Sequence, residues 1–166
     1  MNDLLHNLIE ALREELKQYG EMLAMLEQQQ QSVVHRQTKA LLQNVADVNT
    51  QANVITAARH EREQRRCRVA RQLRLEESAP FSAIVPLLPA DYRPLLEALV
   101  RENNALLIRI QQQARQNHLL LTFHAKELMQ QLINSIFPDG SPKTFDNNGW
   151  LPVNNSPPRS FCEQIS

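Results

Sequence analysis

From its first turn the chain places Leu5, Ile9, Leu12, Leu16, Tyr19, Leu23 and Leu26 at alternating steps of four and three. That spacing holds apolar side chains on one seam of a helix, so it predicts a long first helix, with Asn2 or Asp3 as its N-cap. The pattern lapses through "EQQQQSVVHRQTK" and restarts as Val34, Leu41, Val45, Val48, Ala52 and Ile55, which predicts a break near residues 35–38 and a second long helix. A third seam uses Leu95, Leu99, Leu106, Ile110 and Leu120, interrupted by polar Asn103, Gln113 and Asn117. Glycine and proline agree with these divisions. Neither occurs between Gly20 and Pro80 or between Pro94 and Pro138, and uninterrupted stretches of that kind suit helix. The connection "ESAPFSAIVPLLPADYRP" reads as a compact link with one short helical turn, and "FPDGSPKTFDNNGWLPVNNSPPRSFCEQIS" as a tail with little structure of its own. Long amphipathic helices joined by short links pack as antiparallel neighbours. The expected fold is therefore all-α: an elongated antiparallel three-helix bundle, coiled-coil-like, over residues 1–137, with a narrow core along its length and a flexible C-terminal tail over residues 138–166.

The end of the third helix, "NHLLLTFHAKELMQQLINSIFP", carries more apolar residues than one packed face requires. At roughly 100° per residue, Leu121, Ala125, Leu128, Leu132 and Ile136 share a face assigned to the core. Leu119, Phe123, Ile133 and Phe137 fall roughly opposite. The third helix is the longest, so its last turns are expected to run past the turn between the first two, leaving Leu132, Ile133, Ile136 and Phe137 short of internal neighbours. An exposed apolar end of this kind marks an interaction site. The candidate binding residues are Leu119, Phe123, Ile133, Ile136 and Phe137, and the rival reading folds the tail back over them through Phe145, Trp150 and Leu151.

Charge and candidate chemistry narrow the function classes. The formal net charge is zero, so no global field recruits nucleic acid or an anionic membrane. No apolar run approaches the ~20 residues of a membrane span, and a cytoplasmic protein without stable membrane insertion is expected. Cys67 and Cys162 form neither a metal motif nor a disulfide framework. The run "RHEREQRRCRVARQLR" is rich in arginine, but its arginines spread around the helix instead of forming the single stripe that phosphates require. They are expected to pair with Asp3, Glu10, Glu14 and Glu15 of the first helix and Glu97 and Glu102 of the third, each exposed pair contributing ~0–1 kcal/mol. The histidines never take metal-ligand spacing, and neither a phosphate-cradling glycine loop nor a nucleophile elbow occurs. No catalytic, cofactor or metal site is expected, and the protein is not expected to be an enzyme. Asn103, Gln113 and Asn117 are expected to fix helix register through internal hydrogen bonds; the alternative is a seam left loose for an incoming helix.

The segment "ALREELKQYGEMLAMLEQQQQSVVHRQTKALLQNV" resembles the opening helix pair of the FlgN family of flagellar type III export chaperones. "RQNHLLLTFHAKELMQQLINSIFP" is similar to that family's Asn-Leu-Leu entry into its final helix, and "KTFDNNG" to the aromatic-Asp-x-x-Gly element after it. The arginine run and the tail beyond Trp150 depart from the pattern. The resemblance implies a cytoplasmic escort that binds hook-associated proteins of the hook–filament junction, prevents their premature self-assembly and delivers them to the export apparatus. The alternative from another class is a structural coiled-coil adaptor forming homo-oligomers through its seams; a nucleic-acid regulator using the arginines is a third.

Overall fold

The structure, a computed structural model, describes residues 1–136 and the backbone of Lys143–Asp146 and Gly149–Pro152. Helices α1 (Asn2–Val34), α2 (Thr38–Gln72) and α4 (Arg93–Ile136) are the three long elements, and the connection before α4 adds a short helix α3 (Phe81–Ile84) that runs into a 3₁₀ turn at Val85–Leu87. The described helical part is all-α, with four helices. Within the segment expected to carry little structure, strand β1 (Lys143–Asp146) pairs antiparallel with β2 (Gly149–Pro152), placing Phe145 opposite Trp150 in register. The chain divides into two compact units, residues 1–121 and 122–166, with the boundary inside α4.

In the first unit, α1 starts with Met1 at the N-cap and no side-chain cap, so Asn2 and Asp3 lie inside the first turn. It ends at Val34, within the break that the periodicity predicts. The stop is a Schellman motif: Arg36 has φ 55°, its N–H donates to Val33 O, and the Gln37 N–H reaches back to Ser32 O. Helix α2 ends in the same way. Arg74 has φ 60°, its N–H donates to Arg71 O, and the Leu75 N–H donates to Ala70 O. Glycine is the usual residue at this left-handed position; arginine in its place hides both helix ends from a search for Gly and Pro.

Helix α1 is the shared spine. Its seam residues Leu5, Ile9, Leu12, Tyr19, Leu23 and Leu26 are buried, and so is a second row at Leu8, Glu15, Met22 and Gln29. Two buried rows allow one helix to carry two neighbours. Asn44 of α2 donates to Met25 O at 3.0 Å and Gln51 to Gln18 O at 3.1 Å, so α2 runs antiparallel to α1. Asn103 of α4 donates to Leu12 O at 3.1 Å and Asn117 to Leu26 O at 2.7 Å, both across a sequence separation of 91, so α4 runs parallel to α1. Two of the polar residues that interrupt the third seam, Asn103 and Asn117, thus fix register by bonding to the neighbouring backbone, while Gln113 donates to the Gln30 side chain at 2.9 Å. Each helix carbonyl has a second lone pair free for such a donor. Asn44 and Asn103 leave their own Oδ1 atoms buried without a hydrogen bond, a cost set against that register.

These bonds show where the apolar pattern misleads. On α2 the row facing α1 is Leu41, Asn44, Val48, Gln51, Ile55 and Ala58; Val45 and Ala52, taken from the sequence as seam residues, are exposed. On α4 the buried residue is Leu96, not Leu95. The apolar core is also not spread along the bundle. It gathers where Leu5, Leu8, Ile9 and Leu12 meet Val69 and Ala70 of α2, Ile84 and Leu88 of the connection, and Leu96 and Leu99 of α4. Toward the α1–α2 turn, buried Met22, Leu23, Leu26 and Val33 are interleaved with amide hydrogen bonds.

The arginine run pairs more locally than the sequence suggests. Of the α1 acids, only Glu15 receives it among the described residues, from Arg62 Nε at 2.9 Å, with Arg59 at 3.9 Å. Arg65 pairs with Glu61, Arg71 with Glu77, and Arg66 with Glu63. Arg66 is buried and also donates to the carbonyls of Ala79 and Glu77, which ties the connection to α2. Its hydrogen bond holds the Glu63 carboxyl below the ordinary range and pushes the Arg66 guanidinium above its own. Arg62 and Arg66 therefore weigh more than the exposed pairs anticipated, because removing one partner strands a buried charge or carbonyl.

The α4 register sets a direct test. Leu96→Ala should cost ~2–5 kcal/mol of folding stability and Leu95→Ala under about 1 kcal/mol, measured by urea unfolding; equal losses would mean that α4 is rotated relative to the packing described.

Candidate functional site

The second unit contains the last turns of α4, and there the sequence expectation divides. Ile133 and Ile136 are 44% and 58% exposed, and Phe123 is 59% exposed, consistent with side chains available for docking. Phe137 lies outside the described residues, as do the side chains of Phe145, Trp150 and Leu151. Leu119, 69% exposed, belongs to the first unit. The supposed core face is not buried, however: Leu128 is 64% and Leu132 54% exposed, and Leu121 alone of the larger residues on it is half-buried.

Helix geometry gives the corrected face. At roughly 100° per residue, Leu128, Met129, Leu132, Ile133 and Ile136 form one continuous stripe, all exposed. Glu127, Gln130, Gln131 and Asn134 take the opposite side, where Gln130 Nε2 donates to Asn134 Oδ1 at 3.0 Å. Phe123 stands on the polar side, its ring edge-on to His124 at 6.0 Å between centroids, and His124 Nδ1 lies 3.2 Å from Glu127 Oε2. The sequence pattern assigns Leu128, Leu132 and Ile136 to the core face, yet it also expects Leu132, Ile133 and Ile136 to lack internal neighbours; Leu128 is the residue whose exposure it does not anticipate. The 3-1-3-1-3 spacing of 125, 128, 129, 132, 133 and 136 was the signal that could have grouped them.

A second surface lies wholly in the first unit. Between α2 and α4, above α1, an open cleft of about 390 Å³ is lined by Leu12, Glu15 and Tyr19 below, Arg59 and Arg62 on one side, and Val100, Asn103 and Leu107 on the other; Phe81 and Ser82 of α3 also border it. Its floor is a buried ionic network. The Tyr19 hydroxyl donates to Glu15 Oε1 at 2.8 Å, and Arg62 donates to the Glu15 carboxylate through Nε and, at 3.4 Å, through Nη2. Burial, then the Glu15 hydrogen bond, raises the Tyr19 pKa to about 12. Burial opposes the Arg62 charge, but the hydrogen bond and charge of Glu15 outweigh it, and the pKa rises above its ordinary value.

Among the described residues, no three His, Cys, Asp or Glu side chains gather to hold a metal ion, and no helix is long and apolar enough to cross a membrane. The described surface offers an apolar stripe and a polar-floored cleft. A family model described as FlgN protein matches residues 1–151. No curated protein and no solved structure matches the chain.

Two measurements follow from this geometry. Leu128→Ala and Leu132→Ala should each change folding stability by less than about 0.5 kcal/mol, instead of the several kcal/mol of a core site; thermal unfolding decides. Tyr19, with its pKa raised on folding, contributes stability that is fully present below the unfolded value near 10 and lost as pH rises through about 12. The loss should approach ~2–3 kcal/mol over that window and disappear in Tyr19→Phe, followed by denaturant titration at stepped pH.

Proposed function

The chain belongs to the FlgN family of flagellar export chaperones, and on that premise we propose that it is a cytoplasmic escort for hook-associated proteins of the hook–filament junction. It binds their assembly-prone terminal segments, prevents premature self-assembly and hands them to the export apparatus. The observation that carries this reading is the exposed stripe of Leu128, Met129, Leu132, Ile133 and Ile136 on α4. An amphipathic client helix laid on it would use the helix-in-groove mode of recognition, covering surface through which clients otherwise assemble. Ile133 and Ile136 are the central anchors; Leu119, Phe123 and Phe137 complete the proposed client-binding set. The nucleic-acid alternative loses support because Arg62, Arg65, Arg66 and Arg71 are already engaged by carboxylates.

The test uses the full chain and a purified hook-associated protein. Each anchor desolvated on binding contributes ~1–3 kcal/mol, so Ile133→Ala/Ile136→Ala should weaken the complex by roughly a hundred-fold with an unchanged melting curve. Leu119→Ala/Phe123→Ala, measured beside it, shows whether the polar side of the helix takes part. Wild-type protein that binds only further copies of itself would overturn the escort reading in favour of the coiled-coil adaptor.

A further inference from the structure

The cleft between α2 and α4 has a composition that packing alone does not account for. Val45, Ala52 and Arg59 recur at seven-residue steps on α2, one position beyond the row of Asn44, Gln51 and Ala58 that faces α1. On α4, Val100, Leu107, Ala114 and Leu121 recur at the same step, one position beyond buried Leu99 and half-buried Leu106, Gln113 and Leu120. Arg59 from the first set lines the cleft, and so do Val100 and Leu107 from the second. Val45 and Ala52 continue the α2 row, and Ala114 the α4 row, beyond the cleft-lining residues, and all three are exposed.

Its charge is unbalanced. Glu15 is the only acid among the lining residues, against Arg59 and Arg62. The Glu15 carboxylate is already taken by Arg62 and the Tyr19 hydroxyl. Arg59 stands off at 3.9 Å from it, with its side chain 53% exposed. The one carboxylate lining the cleft is thus shared between two guanidiniums, which leaves the exposed Arg59 able to take a further carboxylate. Glu97 and Arg101, the charged residues of the adjoining cleft of about 580 Å³ beside α3, balance each other and do not alter that surplus.

We propose that this cleft receives an amphipathic helix of the client that carries a carboxylate at the edge of its apolar stripe, the carboxylate pairing with Arg59. The inference rests on the escort reading and adds a second contact surface to it. A helix lying between α2 and α4 would complete a four-helix arrangement on the α1 spine, the packing that antiparallel amphipathic helices favour. The fork of the Arg59 guanidinium suits a carboxylate through two parallel hydrogen bonds. Aspartate or glutamate on the client then sets the register of the docked helix.

The experiment places a photo-crosslinking residue at Ala52, at Ala114 and, as a control on the other side of α4, at Arg109, in the full chain mixed with a purified hook-associated protein. Crosslinks to the client are expected from Ala52 and Ala114 and not from Arg109. In parallel, Arg59→Glu should weaken client binding by roughly ten-fold or more without moving the melting temperature, and Arg59→Lys should recover most of it. Client binding with no crosslink at Ala52 or Ala114, and with full affinity in Arg59→Glu, overturns the cleft proposal and leaves the escort reading standing. Crosslinks that join only two copies of this chain overturn it in favour of self-association. Absence of any client binding by the wild-type protein removes both.

Discussion

Side-chain amides reaching into the backbone of α1 are the interaction on which this fold depends. Asn44 and Gln51 from one neighbour, and Asn103 and Asn117 from the other, each donate to an α1 carbonyl. An apolar seam alone tolerates sliding by a heptad, since one leucine layer resembles the next. An amide that must find a carbonyl does not, because a slip leaves its donor buried and unpaired. Direction and register of both neighbours are fixed to α1, and the price is visible in the two Oδ1 atoms that remain unsatisfied.

Gripping a single spine from two sides has a consequence for the surface. Residues that would close α2 onto α4 in a compact trio instead border an open cleft. The apolar material is concentrated at the end where the connection packs through Ile84, Val85 and Leu88, and Arg66 holds that connection through its bonds to Ala79 and Glu77. One end holds an apolar cluster joined to the connection; farther along, buried apolar residues alternate with amide hydrogen bonds. For a chaperone this division is useful, because stability resides in one region and exposed apolar surface can be kept in others without unfolding the whole.

The buried ionic cluster around Glu15 belongs to the same logic. A carboxylate in the second row of α1 is expensive unless it is fully engaged, and here Tyr19 and Arg62 engage it. That cluster takes the place of a leucine layer at the middle of α1 and makes the α1–α2 pairing specific. It also draws Arg59 to within 3.9 Å of the same carboxylate while leaving its side chain 53% exposed.

The sequence by itself determined the three long helices, the break near residues 35–38 and the mainly helical class, because periodicity acts locally and depends on no partner. It also exposed the excess of apolar residues at the end of α4, and with it Ile133 and Ile136. It did not determine which row of each helix faces α1. Ranking positions by hydrophobicity selects Val45, Ala52 and Leu95, whereas the contact rows run through Asn44, Gln51 and Leu96, since an amide becomes an interior residue only when a particular carbonyl lies opposite it. Nor could it show that Leu128 stays exposed, because an apolar helix face looks the same whether or not another element covers it. Those decisions rest on which backbone groups and side chains the tertiary arrangement brings within hydrogen-bonding or van der Waals distance, and no local pattern encodes that.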